Sequence, residues 1–339
     1  MKRKSVLPLL IIFLNLSICH TVHSQCCAGG SGSPLAGGAS QGVLQENQFD
    51  INVNYQHIST NKFLTGNKTA KDFLDYFESN YIFNRIGYGV SEKLTVSLDF
   101  GYFINKKQVG LYDSINKTNE VIKSGGIGDL IIFPRYDIYN KTRRKLKTEI
   151  TLGMGFKIPI GRYNDSFSKI EPFSGEKYFI TMPLSVQPSS GAHDVLFYGF
   201  FLKEFKNFKS FINTTYIKKG WNALGEKQGD YFSAGIFASK TFKKKIGVTA
   251  QIKYEQINRM EINQNVLLYD YPNYDPFATG SRKLFVVPQI NYTLKCKIIL
   301  FVLSEIPIYQ YVNKTQIASQ YQFSTGISYR FFIKNDEEW

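Results

Sequence analysis

Charged side chains recur at alternate positions of several long segments of this chain, with apolar residues between them. Alternation with a period of two is typical of β-strands that have one polar and one apolar face. If such strands close into a barrel, the polar faces line its interior, where charged groups pair with one another or contact a passing solute. The mixed charges of the candidates argue against a simple anion or cation pore. The candidate lumen residues are Asp50, Asp99, Asp129, Arg135, Asp137, Lys157, Lys253, Glu255 and Arg330.

A second candidate group is aromatic and falls in a polar segment, 258–282, between two strand patterns. Aromatic side chains in an external loop can form an apolar entrance for a hydrophobic solute, or they can pack the loops against each other. The sequence leaves both interpretations open. The four residues are Tyr269, Tyr271, Tyr274 and Phe277.

Hydrolytic chemistry would require a histidine base beside a hydroxyl nucleophile. Beyond the N-terminal signal, the histidines are His57 and His193, and neither belongs to a nucleophile-elbow or lipase motif. We therefore expect no enzymatic activity. The sequence also shows no zinc-site spacing, Walker motif or dinucleotide fingerprint, so we predict no metal and no cofactor.

The cysteines beyond the signal are Cys26, Cys27 and Cys296. Lipid attachment at Cys26 is disfavoured because Gln25 precedes it, where a lipidation site needs a small residue. The adjacent thiols suit a soft metal ion, although no third ligand is evident. An oxidising compartment would also permit a disulfide to Cys296. The sequence does not decide among these roles.

The N-terminus has the features of a secretory signal peptide, residues 1–24. Three basic residues at 2–4 precede an apolar run at 7–19, which is too short to span a bilayer as a helix. Suitable uncharged residues at the −3 and −1 positions place cleavage after Ser24. The following residues, 25–47, are rich in Gly and Ser and cannot form a core. We expect them to be a flexible leader or a plug that folds back into a barrel.

From residue 48 onward the alternation becomes regular. Residues 94–102 place Leu, Val, Leu, Phe and Tyr on one face and Thr, Ser, Asp and Gly on the other, and 150–158 and 246–255 follow the same pattern. The predicted strands are about 10–15 residues long, whereas strands of soluble sheets most often have about five or six. A tilted membrane strand needs about 9–11 residues, so the pattern favours a membrane barrel.

The connections between the strands alternate between short and long, as in barrels with short periplasmic turns and long external loops. Counting an extended segment at 179–186 as part of the wall gives fourteen strands instead of twelve. The twelve predicted strands are 48–57, 79–90, 94–105, 127–140, 146–160, 193–205, 210–220, 231–242, 246–257, 284–294, 297–311 and 318–332. The predicted long loops are 57–78, 106–125, 161–192, 220–230, 258–282 and 312–317.

The last strand pattern ends in aromatic residues, including Tyr329 and Phe331, on one face. Such a strand resembles the C-terminal signal recognised by the outer-membrane assembly machinery, which we predict as a partner. A polar tail, 333–339, follows it and departs from a strictly terminal Phe. The formal charge is +14, but the basic residues are spread through turns and loops. We therefore expect no nucleic-acid partner.

Three motifs in the middle of the chain resemble segments of one known family. They are SGGIGDL at 124–130 (followed by PRYDI), GFKIPIG at 155–161 and PSSGAHD at 188–194. They are similar to segments of the meta-pathway phenol-degradation family of outer-membrane proteins, itself similar to long-chain fatty-acid transporter barrels. Ile160 stands where that family usually has Thr. The resemblance implies a transporter or channel, often for hydrophobic or aromatic compounds. It also implies that Pro159 and Pro288 mark a kinked wall open to lipid, whereas the residues alone indicate strand ends or bulges.

The sequence thus predicts an all-β protein, a transmembrane antiparallel β-barrel of about twelve strands over residues 48–332. The expected location is the outer membrane of a Gram-negative bacterium, in contact with its lipid. The predicted function is passive passage of small hydrophobic or aromatic molecules. The alternative is a non-conducting barrel with a structural or surface-binding role, and a lumen packed with ion pairs would favour it.

Overall fold

The computed structural model describes residues 42–71, 75–113, 118–143, 146–171, 173–243, 245–263, 276–294 and 297–333. The predicted signal peptide, most of the predicted leader and most of the polar tail lie outside these ranges. The three cysteines at 26, 27 and 296 lie outside them as well.

Twelve antiparallel strands form one closed wall, each paired with the next along the chain. The last strand pairs with the first from Gln48–Phe332 to Ser59–Tyr321, so the twelve-stranded wall has no open edge. The predicted twelve-stranded barrel is confirmed. The strands are β1 Gln48–Thr60, β2 Tyr76–Gly89, β3 Leu94–Asp113, β4 Leu130–Arg143, β5 Leu146–Ile158, β6 Asp194–Glu204, β7 Lys209–Lys218, β8 Tyr231–Phe242, β9 Ile246–Ile257, β10 Ser281–Leu294, β11 Ile298–Ile317 and β12 Tyr321–Phe332.

The alternation in the sequence corresponds to the two faces of the wall. On β1, Ile51 and Val53 point outward and are each 37% exposed, while Asn52 between them points inward and is fully buried. The outer face is therefore an apolar belt and the inner face carries most of the polar groups. An apolar exterior on a closed sheet is the arrangement that a bilayer requires, because every backbone group is paired within the wall.

Short turns join the strands at one end of the barrel and long connections join them at the other. By the usual topology of such barrels, the short turns, the start of β1 and the end of β12 face the periplasm. Two predicted external loops are in fact mainly strand, and a third, 57–78, contains the short strands Phe63–Gly66 and Lys68–Thr69, the first of which pairs with β11. The predicted loop 106–125 is a β-hairpin, since β3 continues to Asp113 and pairs with Thr118–Ile127, and the predicted loop 312–317 is the end of β11. Both strands extend past the membrane belt, where hairpin pairing satisfies the backbone.

The extended segment at 179–186 does not join the wall. Residues Lys177–Thr181 pair only with Ser166–Ile170, as a small hairpin inside the connection between β5 and β6. A count of fourteen wall strands is therefore wrong. Within the described ranges, no helix is long and apolar enough to cross a membrane.

The two prolines singled out in the sequence have different places. Pro159 follows the end of β5, so it terminates a strand. Pro288 lies inside β10, where it pairs with Ala250 of β9. On its other side, the ladder between β10 and β11 shifts register at Leu284/Phe285, opposite Pro307. Two prolines and a bulge make this the least regular seam of the wall.

Candidate functional site

The structure gives a position for each of the nine candidate lumen residues. Eight are on strands and point inward, and Asp129 lies in the break between the hairpin strand Thr118–Ile127 and β4. Most are almost fully buried, and many form ion pairs. The lumen is therefore a packed interior across these positions, and the charges fall into separate clusters.

The most buried cluster is on β2, β3 and β4. Arg85 Nε and Nη2 donate to Asp99 Oδ1 and Oδ2 at 2.9 and 2.7 Å, and both side chains are at most 1% exposed. Arg135 lies over the Phe133 ring, 5.5 Å from its centroid, and interacts electrostatically with both Arg85 and Asp99. This bidentate, hydrogen-bonded ion pair is of the kind that forms the strongest polar contacts in proteins.

A second cluster lies near the periplasmic end, where β1 meets β12. Asp50 Oδ1 accepts hydrogen bonds from Ser328 Oγ at 2.7 Å and from Arg330 Nε at 3.1 Å. These contacts join the first strand to the last, so they reinforce the seam that closes the barrel. Asp137 lies at the same end on β4 and accepts a hydrogen bond from Asn140 at 2.7 Å.

A third cluster forms where three sequence motifs, at 124–130, 155–161 and 188–194, meet at the loop end of the lumen. Lys157 Nζ contacts Asp129 Oδ2 and Ser190 Oγ at 2.6 Å each, and Asp194 Oδ2 at 3.1 Å. A side chain at Gly161 would collide with the backbone of residue 127 and with Ser189. These three motifs therefore form one packed junction, which we call the Lys157 junction.

The loops beside this junction are tied to it by further charges. Lys219, just beyond β7, donates to Asp194 Oδ2 at 2.9 Å, and burial lowers the pKa of Lys219 despite the attraction of Asp194. Burial acts to raise the pKa of Asp230. Hydrogen bonds from Lys218 Nζ and the Lys219 N–H outweigh that effect, and the pKa lies below its usual value.

The fourth cluster lies behind the irregular seam between β10 and β11. Lys253 Nζ is 2.7 Å from Glu305 Oε2 and 3.5 Å from Glu255 Oε2, and Tyr231 donates to Glu255 at 3.1 Å. Glu305 is fully buried. Removing the lysine would leave a buried charge without compensation, which is strongly destabilising.

One side of the inner wall is apolar. Its buried cluster lies on β4 and β6 to β8, and it faces the amide and hydroxyl groups of β1, β9, β10 and β12. A smaller buried apolar cluster, on β10 and β11, consists of Phe285, Val287, Phe301 and Leu303. The two walls together suit a solute with an apolar body and few polar groups. The apolar wall consists of Ile131, Phe133, Leu196, Tyr198, Phe200, Leu202, Phe211, Ile217, Tyr231 and Phe237.

Residues 42–47, at the end of the predicted leader, lie inside the periplasmic mouth. The Val43 N–H donates to Glu149 Oε1 at 3.2 Å, and the Leu44 N–H donates to Thr95 Oγ1 at 2.7 Å. On β2, a side chain at Gly89 would overlap the carbonyl of Gln45. The glycine on the inner wall therefore makes room for the N-terminal segment.

The external mouth is covered by the connection between β5 and β6. Leu184, Val186 and Gln187 of this connection are buried. Lys106 Nζ donates to the carbonyl oxygen of Gln187 at 2.8 Å, which ties the cover to β3. We call residues 183–192 the external cover, and the Lys157 junction attaches its far end through Ser190.

Of the four aromatic residues predicted at the entrance, Tyr269, Tyr271 and Tyr274 lie outside the described residues. Phe277 lies in a 3₁₀ turn, Pro276–Ala278, and is 61% exposed beneath Lys314, whose Nζ is 5.1 Å from the ring centroid. The entrance role stays a prediction.

The two histidines lie apart on the external side. His57 Nδ1 is 2.7 Å from Asn80 Oδ1, an amide that also accepts a hydrogen bond from Tyr55. His193 directly precedes β6. Across the described residues, no group of three His, Cys, Asp or Glu could hold a metal ion.

Sequence reasoning missed five charged residues that are buried in the described chain, Arg85, Glu149, Asp194, Glu226 and Glu305. Arg85 lies in a segment whose alternation is broken by the bulge at Asn80/Tyr81. Glu305 lies on β11, where both faces are apolar, so the sequence does not show which residues point inward. Glu149 begins the inward series that continues with Thr151, so strict counting along β5 would have found it.

Comparisons with known proteins identify the architecture. The chain matches no family model and no curated protein sequence. Among solved structures, an outer membrane channel from Pseudomonas putida F1 superposes with a TM-score of 0.60 at 12% identity, over 86% of this chain and 97% of that one. The fold is an outer-membrane β-barrel. The β-domain of the Bordetella autotransporter BrkA gives a TM-score of 0.46 at 9% identity, over 84% and 100% of the two chains. A FadL homologue from Pseudomonas aeruginosa gives 0.42 at 9%, over 83% and 90%.

Proposed function

We propose that this protein is an outer-membrane channel or transporter for the passive passage of small hydrophobic or aromatic molecules. The observation that carries the proposal is the apolar wall inside a closed barrel whose outer face is already apolar. A barrel needs an apolar exterior to sit in lipid, but it has no such need for ten buried apolar side chains on one inner wall. An inner apolar surface lowers the cost of dehydrating a hydrophobic solute.

The proposed route passes between the apolar wall and the amide-rich wall opposite. In the structure, residues 42–47 occupy the periplasmic mouth of the barrel, and the external cover lies over the external mouth. Passage therefore requires both segments to move, and each is held by a few polar contacts. We place a side exit toward lipid at the irregular seam between β10 and β11, where the ladder shifts register at Leu284/Phe285.

The sequence resemblance to the phenol-degradation family supports an aromatic solute, and the solved channel from Pseudomonas putida supports a channel architecture. A cleaved signal peptide, residues 1–24, and recognition of β12 by the barrel assembly machinery complete the proposal. The N-terminal leader, 25–47, is proposed as the periplasmic plug. The candidate charged residues are proposed to hold the lumen and its covers in place, and no catalytic role is proposed for any residue.

A second function is favoured by the density of the buried ion pairs. Arg85–Asp99, Lys253–Glu305 and the Lys157 junction fill the lumen with paired charges. A barrel with a permanently filled lumen would serve as a structural or surface-binding protein. The two functions differ in whether solute crosses a membrane that contains the protein.

The route is tested by placing a polar group on the apolar wall. Phe211 is 2% exposed and stacks on Phe237 with ring centroids 4.6 Å apart. We expect Phe211→Asn to reduce uptake of a small aromatic probe into proteoliposomes several-fold, because the amide raises the cost of passage at that point. The matched control is Phe208→Asn, at the periplasmic turn, where Phe208 stacks on Phe205. Equal uptake by both variants, each confirmed as a folded barrel by heat-modifiable gel migration, would exclude this route.

A further inference from the structure

A groove of about 730 Å³ lies on the outside of the barrel, at the loop end of β9, β10 and β11. Gln256, Arg282 and Tyr311 lie side by side across the three strands, as their backbone pairing requires. Arg259, in the connection after β9, and Tyr309 complete this part of the groove. These residues are on the outer face of the wall or above it, and Ile257 and Ser281 line the groove from the rim of the lumen.

The groove is positively charged. Among the described residues, its lining contains two arginines, Arg259 and Arg282, and no acidic residue. No ion pair is recorded for either guanidinium among the described residues, although most buried cations of this barrel have a carboxylate partner. A guanidinium on the lipid-facing wall is costly at the bilayer midplane and tolerated near the interface. Its planar donors match a phosphate group in two-point contact.

The polar rim of the groove is held in place by its own hydrogen bonds. Tyr254 donates to Gln256 Oε1 at 3.0 Å, and Gln256 Nε2 donates to Asn258 Oδ1 at 3.2 Å. Asn313 Nδ2 donates to the carbonyl oxygen of Thr279 at 2.9 Å. A ligand would thus meet a rim that is already ordered, which reduces the entropy cost of binding.

Toward the membrane centre, the same outer face becomes aliphatic. Ile252, Ile290 and Ile308 project outward and are each at least 57% exposed. Tyr309 and Tyr311, which are about half exposed, lie between this surface and the arginines. Tyrosines at this depth are typical of the membrane–water interface. The face therefore runs from cation through aromatic to aliphatic, the order in which a membrane lipid presents its anionic head, glycerol or sugar region and acyl chains.

We propose that this groove binds the phosphorylated headgroup of an outer-leaflet lipid, with Arg259 and Arg282 as the phosphate ligands. The acyl chains of that lipid lie along the isoleucine surface below. The site fixes the depth and rotation of the barrel in the bilayer beside its least regular seam. It does not depend on whether the barrel conducts.

The test is lipid retention by the detergent-solubilised full chain, measured by native mass spectrometry. The probes are a bis-phosphorylated lipid A and the same lipid without its phosphates. We expect the wild-type protein to retain the phosphorylated lipid and to release the phosphate-free one. Because each lost guanidinium removes a charged hydrogen-bond pair, Arg259→Gln/Arg282→Gln should weaken retention at least about tenfold.

The matched control is Arg162→Gln, which removes another exposed arginine of the external side, one that pairs with Asp165. It should retain the lipid as the wild type does. If the double variant does not fold, Arg259→Gln alone, outside the strands, should still weaken retention several-fold. Equal retention by wild type and either groove variant overturns the proposal. Equal retention of the phosphate-free lipid, or displacement by an equimolar long-chain fatty acid, overturns the phosphate specificity.

Discussion

The pair Arg85–Asp99 should be the most sensitive polar contact of the barrel interior. Removing one partner leaves a charge with no access to water, which costs about 3–5 kcal/mol when a buried pair is broken. The two sides of the pair are not equivalent, because Arg135 interacts electrostatically with both. After Arg85→Met, Arg135 still compensates the Asp99 carboxylate. After Asp99→Leu, Arg85 and Arg135 face each other as like charges.

We therefore expect Arg85→Met to lower the free energy of unfolding by about 3 kcal/mol and Asp99→Leu by about 5 kcal/mol, the two ends of that range. The double variant should lose less than the sum of the two, because apolar side chains of similar size can replace a buried pair with little net cost. The coupling energy of the cycle is then at least about 3 kcal/mol, which is at or above the upper end of the range usual for contacting residues.

The assay is denaturant unfolding of the chain in liposomes, followed by the fluorescence of its two tryptophans, Trp221 and Trp339. A matched control removes an exposed lysine, Lys218→Met; its partner Asp230, at 2.7 Å, keeps hydrogen bonds from Tyr216 and from the Lys219 N–H. An exposed pair contributes about 0–1 kcal/mol, so this control should unfold almost as the wild type does. If the double variant loses the sum of the single losses, the two charges do not act as a pair. If Arg85→Met costs more than Asp99→Leu, the role given to Arg135 is wrong.

Three further outcomes follow from the covers of the two mouths and from the wall. Deleting residues 25–44 should raise the conductance of the barrel in planar bilayers, because Val43 and Leu44 no longer bridge Glu149 and Thr95; unchanged conductance would exclude the plug. Gly89→Val should also raise the conductance, without shortening the chain, since the added side chain overlaps Gln45. Gly175→Ala should leave the conductance unchanged, because nothing lies within 4 Å of an added Cβ at that position. Lys157→Met should speed protease cleavage within 183–192, because Ser190 loses its hydrogen bond to Lys157. Lys169→Met, on the exposed hairpin strand Ser166–Ile170, should leave the cleavage rate unchanged. Equal cleavage rates for the two variants would show that the Lys157 junction does not hold the cover.

The barrel itself was predictable because lipid imposes a strict pattern. A wall with lipid outside and side chains inside requires alternation over about ten residues, and β1, β5 and β9 show it plainly. The strand ends were less predictable. Beyond the membrane the alternation no longer reports which face is buried, so the continuation of β3 to Asp113 and of β11 to Ile317 looked like loop.

The inward charges of regular strands, such as Asp99 and Lys157, followed from the same alternation. Their partners did not, because pairing depends on contacts across strands and loops that no local pattern encodes. Asp194 and Ser190 approach Lys157 only after the β5–β6 connection folds over the mouth. The position of residues 42–47 in the lumen was open for a similar reason, since a Gly-rich segment carries no signal of what it packs against.

The most direct test of the proposed function is uptake of a small aromatic probe into liposomes containing the refolded chain, compared with empty liposomes of the same lipid. The folded state is confirmed in parallel by heat-modifiable gel migration. Our account predicts faster, passive uptake that reaches the external concentration and does not exceed it. Uptake no faster than in empty liposomes, by a correctly folded barrel from which residues 25–44 have also been removed, would contradict it and leave the structural or surface-binding role.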